Sequence, residues 1–120
     1  MGRKNPLLPL VHVRDAIDKI QAYVAENGLE QLEAQGMFLD AIERNLERIS
    51  EASRRIPDDL KANYPNVDWR GIATIGNVLR HMYDFVNIKT VREVVEYDLP
   101  SLAAVIAALI AQVERDQKNA

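Results

Sequence analysis

Apolar residues recur at spacings of three and four through nearly the whole chain, and that period confines it to helices. Val13, Ile17, Ile20 and Val24 open the pattern, with Arg14, Asp15, Asp18 and Lys19 on the other side. Asn27-Gly28 reads as a helix stop and turn. The second run, Phe38, Ile42, Leu46, Ile49 and Ile56, sets Glu43, Arg44, Glu47 and Arg48 outside. Pro57 ends it, because the ring clashes with the preceding turn and has no N–H to donate. After the polar connection PDDLKANYPNVD, Asp68 is a good N-cap for a third helix carrying Trp69, Ile72, Ala73, Leu79 and Met82 near one face. A capping box, Thr90-Val91-Arg92-Glu93, predicts the start of a fourth helix. That helix places Val91, Val94 and Val95 before Pro100 and Leu102, Val105, Ile106, Leu109 and Val113 after it. With no β alternation or hairpin dipeptide in competition, the expected fold is an all-α, four-helix up-and-down bundle, its last helix kinked or broken at Pro100.

Size and charge narrow the possible functions. The 120 residues are 48% hydrophobic and 28% charged, which suits one core and one solvated surface, so residues 1–120 are expected to form a single domain. A core this small, with wide apolar faces on its longer helices, is consistent with a dimer. A formal net charge of -3 argues against coating nucleic acid by bulk charge, while leaving room for a local site that handles one phosphate. With no cysteine there is no disulfide, thiolate metal site or cysteine nucleophile. The start MGRKNPLLPLVHV is interrupted by Pro6, Pro9 and His12, unlike a signal peptide. No stretch reads as the ~18 apolar residues of a membrane span, and residues 101–113 read as a buried core helix. A cytoplasmic protein without membrane contact is expected.

Chemistry concentrates in GNVLRHMYDF, residues 76–85. On a continuous helix Asn77, His81 and Asp84 share one stripe, and Gly76, Arg80 and Tyr83 the adjoining one. Those groups suit phosphodiester cleavage. A histidine titrating near neutrality moves a proton from a ribose 2′-hydroxyl or to the leaving oxygen. An arginine holds the phosphate and offsets its developing charge. Asn77 can orient the imidazole, and Tyr83 can stack on a base or donate to phosphate. Any exposed helix also shows polar residues at such spacings, so periodicity alone leaves a solvated face as the alternative. His12 has only Asp15 at helical spacing and reads as a helix-surface residue. No histidine pairing suggests a metal site, and no Gly-rich phosphate loop is present.

The order of blocks adds to this. The segment AIERNLERISEA (41–52) resembles the second-helix signature of the HepT-like branch of the HEPN family. Ile56-Pro57-Asp58-Asp59-Leu60, Tyr64-Pro65, Asp68-Trp69-Arg70-Gly71-Ile72, Gly76-Asn77-Val78-Leu79-Arg80-His81-Met82-Tyr83 and Val94-Val95-Glu96-Tyr97-Asp98-Leu99-Pro100 follow in the family's order and spacing. The resemblance implies an all-helical homodimer with sites lining the cleft between protomers. It implies a metal-independent RNase toxin, with no cofactor, paired with a nucleotidyltransferase antitoxin of the MntA type. The family motif is Arg, four residues, His, one residue, Tyr. His81 then matches the catalytic histidine, Tyr83 the tyrosine that receives AMP, and Asn77 the polar residue after the arginine. Gly76 stands where the arginine is expected, and Arg80, one turn on, is the candidate substitute. The alternative is a catalytically inactive HEPN domain that binds and regulates a nucleotidyltransferase partner or nucleic acid. A purely structural helical dimer is the third reading.

Overall fold

The computed structural model describes residues 5–32, 34, 36–80 and 85–120, apart from the side chains of Val78, Arg80, Phe85, Val86 and Asn87. Every regular element among them is helical, as the periodicity predicts. Helix α1 spans Leu7–Asn27, α2 Gly36–Ser53, the one-turn α3 Asp58–Lys61, α4 Trp69–Arg80, α5 Phe85–Glu93 and α6 Leu99–Asn119. A π-helical segment, Val94–Asp98, joins α5 to α6, so residues 85–119 form one rod. At ~1.5 Å per residue that rod accounts for the long dimension of a molecule measuring 50 × 28 × 25 Å. Helix α1 packs on α2, α2 on α4, and α6 returns to α1, which gives the expected bundle.

Each end of a helix has a local cause. Asn5 Oδ1 accepts the Leu7 N–H at 3.0 Å and opens α1. Pro9 is tolerated because first-turn N–H groups have no helical partner to lose. Gly28 stops the helix at φ 81°, a left-handed value that glycine adopts without strain, while its N–H bonds Val24 O at 2.8 Å. Helix α2 ends at Ser53, a turn before Pro57. Ile56 nevertheless stays in the core, 2% exposed.

One local expectation changes, and another holds. Thr90 lies inside α5, so the 90–93 box does not start a helix. Val91 is fully buried and holds that turn against the core, and the same Thr/Glu spacing sits equally well within a continuing helix. At Pro100 the regular α-helix is interrupted as expected: α5 gives way to the π segment, and α6 restarts with Pro100 in its first turn. The Leu99 N–H bonds Val94 O, five residues back, so the turn ahead of the proline re-pairs its carbonyls by π-type bonds.

The core is the set of faces that the spacing picked out. Leu10, Val13, Ile17 and Ile20 of α1 meet Ile42, Leu46 and Ile49 of α2 and Leu102, Ile106, Leu109 and Val113 of α6, all buried. Continuity through Pro100 alters one reading of α6. Ile88–Asn119 contains an 18-residue stretch of mean hydropathy 1.7, long and apolar enough by length and composition to cross a membrane. One third of that stretch is buried within the fold. Leu102, Ile106, Leu109 and Ile110 are buried in the bundle, whereas Ala104, Ala107 and Ala108 are exposed.

Candidate functional site

Helix α4 is set in place before it reaches the site. Asp68 Oδ1 accepts the Gly71 N–H at 3.0 Å, the N-cap expected from sequence. The Trp69 indole N–H is shared between the carbonyls of Lys61 and Tyr64, at 3.2 Å each, which pins the α3–α4 connection under the helix start. Beyond that, α4 leans on α2. Ser50, 1% exposed, donates its hydroxyl to Ala73 O at 2.7 Å and accepts the Gly76 N–H at 3.4 Å. Just past the end of α2, Arg54 donates Nε and Nη2 to the same Ala73 carbonyl at 3.0 and 2.6 Å.

Gly76 lies at this seam. A Cβ built there would stand 3.5 Å from Ser50 Oγ and 3.7 Å from Glu47 Cγ, ordinary contact distances, and its backbone is helical. Neither clearance nor conformation requires glycine, which costs a helix interior about 1 kcal/mol relative to alanine. What the missing side chain leaves is space. A cavity of about 330 Å³ opens beside it, lined by Arg44, Glu47, Arg48, Ser50, Glu51, Arg54 and Gly76.

Charge in that cavity is uneven. Arg44 pairs with Glu47 at 3.7 Å, and Glu51 is held from outside by Arg55 at 3.4 Å. Arg48 reaches only Asn45 Oδ1, at 3.4 Å, and Arg54 only the Ala73 carbonyl, so neither has a carboxylate partner among the described residues. At the edge of the same face, partial burial pushes the Glu43 carboxyl above its usual range, and the neighbouring charges of Asp40 and Glu47 push the same way.

The residues singled out from sequence fare differently. Asn77 is exposed on α4, next to the buried Gly76. Arg80 ends α4, but its side chain lies outside the described residues, as do His81 and Tyr83. His12 is exposed on α1, as expected for a helix-surface residue. The sequence reading missed Ser50 and Arg54. Their only signal is a polar stripe, Glu47, Ser50 and Glu51 on α2 with Arg54 just past its end, which looks like any solvated helix face until α4 is laid across it. A second cavity, about 690 Å³ and bordered by Tyr64, Ile72, Ile75, Val94, Leu102 and Val105 among others, separates α4 from the α5–α6 rod.

The family described as Ribonuclease HepT-like matches residues 13–109. The chain belongs to this family. The HepT-like match takes in both helices of the Gly76 seam and the whole α5–α6 junction. Among curated relatives, a Methanocaldococcus jannaschii protein named "Gamma-glutamylcyclotransferase and putative RNase MJ0434" is 25% identical over 98% of this chain. The chain spans about half of that relative, 53% of its length. A Thermococcus cleftensis protein named "Probable ribonuclease HepT" is 33% identical over 78% of this chain and 84% of its own. A third, "Putative RNase MJ0127" of M. jannaschii, is 28% identical over 92% of this chain and 88% of its own. No solved structure matches the chain significantly.

Proposed function

We propose that this HepT-like domain, spanning residues 1–120, is a metal-independent endoribonuclease that acts as a cytoplasmic homodimer and as the toxin of a pair with an MntA-type nucleotidyltransferase antitoxin. The observation that carries the reading is the family match over residues 13–109, supported by relatives named as ribonucleases. The guanidinium-lined cavity beside Gly76 gives it a physical basis. In the reaction the ribose 2′-oxygen attacks phosphorus and the bond from phosphorus to the 5′-oxygen breaks. The 2′-hydroxyl proton passes by way of His81 to the departing 5′-oxygen, and the products carry a 2′,3′-cyclic phosphate and a 5′-hydroxyl. Asn77 orients the imidazole, and an arginine offsets the charge gathering on the phosphate oxygens.

Losing one preorganised donor to such a charge typically costs ~3–4 kcal/mol, or ~100–1,000-fold in rate. With Gly76 at the motif position, activity therefore depends on another guanidinium, with Arg80 as the candidate from α4 itself. In regulation, the partner transfers AMP from ATP to Tyr83: the phenolic oxygen takes the α-phosphate and pyrophosphate leaves. The adduct adds bulk and negative charge beside the histidine and blocks RNA. The apolar cleft between α4 and the rod, with the exposed alanines of α6, supports burial against a second protomer.

Gly76 also favours a second reading, a catalytically inactive domain that regulates a nucleotidyltransferase. One experiment separates the two. In excess chelator the purified protein should cut mixed-sequence RNA to cyclic-phosphate ends, and His81→Ala should not. A folded dimer that leaves RNA intact would overturn the ribonuclease reading. Intact-mass analysis after co-expression with the partner should find AMP on Tyr83, and an adduct elsewhere would refute that assignment.

A further inference from the structure

The cavity at Gly76 has a lining that the motif does not account for. Three guanidiniums, those of Arg44, Arg48 and Arg54, surround it against two carboxylates, and one of these, Glu51, is also paired with Arg55. Arg44 and Arg48 lie on α2 and Arg54 directly follows its last residue, on the far side of the seam from the motif helix. We propose that this cavity is an anion subsite for one backbone phosphate of RNA, with Arg54 and Arg48 as its ligands in place of a side chain from position 76. The proposal deepens the ribonuclease reading and rests on it.

Arg54 is the better placed of the two. Its Nε–H and one Nη2–H are spent on the Ala73 carbonyl, which fixes the plane of the guanidinium along the α2–α4 seam. Among the described residues the other three N–H groups have no partner, enough for the two-pronged grip that arginine offers a phosphate. Holding the fork by its inner edge also removes most of the rotamer freedom that binding would otherwise have to freeze. Arg48 lines the same cavity with one long contact among the described residues, to Asn45. Gly76 forms the wall where a side chain would otherwise project, and Asn77 next to it is exposed, so a bound phosphate can belong to a continuing strand. An open site of this kind suits a diester in a chain better than a free anion needing enclosure on all sides.

Binding of a labelled 2′-O-methyl oligoribonucleotide, which lacks the attacking hydroxyl, tests the subsite apart from cleavage. Anisotropy titrations of the full chain from about 50 to 300 mM KCl give both affinity and salt dependence, and each phosphate contact to a single strand contributes roughly 0.7 to the slope of log K against log salt. Arg54→Ala and Arg48→Ala should each weaken binding several-fold, and the double variant should reduce the slope by about 0.7, as for one shared phosphate. Arg115→Ala, exposed on the far end of α6, serves as control and should change neither. Inorganic phosphate should displace the oligonucleotide only at concentrations far above the latter's Kd; equal affinity would mark a free-phosphate site and overturn the proposal.

Arg54 also braces α4, so a purely structural role has to be separated. Arg54→Ala/Gly76→Arg returns a guanidinium to the cavity from the other wall and should recover binding without restoring the bond to Ala73. If Arg54→Ala fails to fold, Arg48→Ala carries the test alone. Unchanged affinity and slope in a folded Arg48 variant then overturn the subsite. Cleavage by a parent whose arginine variants bind normally would sink the subsite and leave the ribonuclease standing. Arginine-dependent binding without cleavage would do the reverse.

Discussion

Replacing Gly76 by alanine should stabilise this protein, although the position is buried at a helix–helix seam. The backbone there is helical, so alanine saves the roughly 1 kcal/mol by which glycine disfavours a helix interior. The added methyl meets Ser50 Oγ at 3.5 Å, Ser50 Cβ at 3.6 Å and Glu47 Cγ at 3.7 Å, contacts that need no movement of α2. Burying it adds at most another ~0.8 kcal/mol. The expected gain is therefore about 1–1.5 kcal/mol, which for a chain of this size raises Tm by roughly 3–6 °C. Urea unfolding followed by far-UV circular dichroism measures it, at one fixed protein concentration because subunit association would shift the midpoint. Gly28→Ala supplies the contrast. At φ 81°, with the new Cβ over the Glu30 carboxylate, the same substitution should cost stability by more than the 1 kcal/mol it gains at Gly76. A destabilised Gly76→Ala would mean that α2 and α4 approach more closely than these distances allow. The cavity could not then be explained by the missing side chain.

Further substitutions test other parts of the argument. Asp68→Ala removes the cap on the Gly71 amide and should cost about 1 kcal/mol, read from the urea midpoint. Leu109→Ala empties a fully buried position in the α1–α6 contact and should cost about 2–5 kcal/mol; less than 1 would mean that the rod packs elsewhere. Glu43→Gln should stabilise at neutral pH. The folded pKa of Glu43 is raised, so the native state holds this proton more tightly than the unfolded chain, and stability falls as pH rises from the usual carboxylate range through the raised value. Glutamine removes that fall, so the gap between variant and parent should be present at pH 7 and close below about pH 4. An equal gap at both would show that the carboxylate charge is not the cause.

How much of this could be read from the chain depends on which interactions are local. The core was legible because one face of each helix carries Leu, Ile or Val every third or fourth residue, and Leu10, Ile17, Ile42, Leu46, Ile106 and Leu109 are the buried side chains in consequence. The Asp68 cap and the Gly28 stop were legible for the same reason, each being settled within four residues. The Thr90 box misled because a cap and a mid-helix surface share one pattern, and here the helix has already begun at Phe85. Pro100 was legible as well, since a proline fits only the first turn of a helix, and the regular helix gives way to a π turn ahead of it and restarts at Leu99.

The site depends on the seam. Sequence spacing collects Asn77, Arg80, His81 and Tyr83 along one helix and directs the search for a missing guanidinium to that same helix. The described structure turns the search sideways. Arg54 is 22 positions before Gly76 and arrives at its seam only because Ser50 and Arg54 both close on the Ala73 carbonyl. A helix that gives up its own long side chain at one turn leaves a gap that a neighbouring helix can fill with the same chemical group. A linear motif with one position blank is therefore not yet a dead site. Whether it is dead depends on what the facing segment brings to the blank, and here α2 and the residue after it bring arginine.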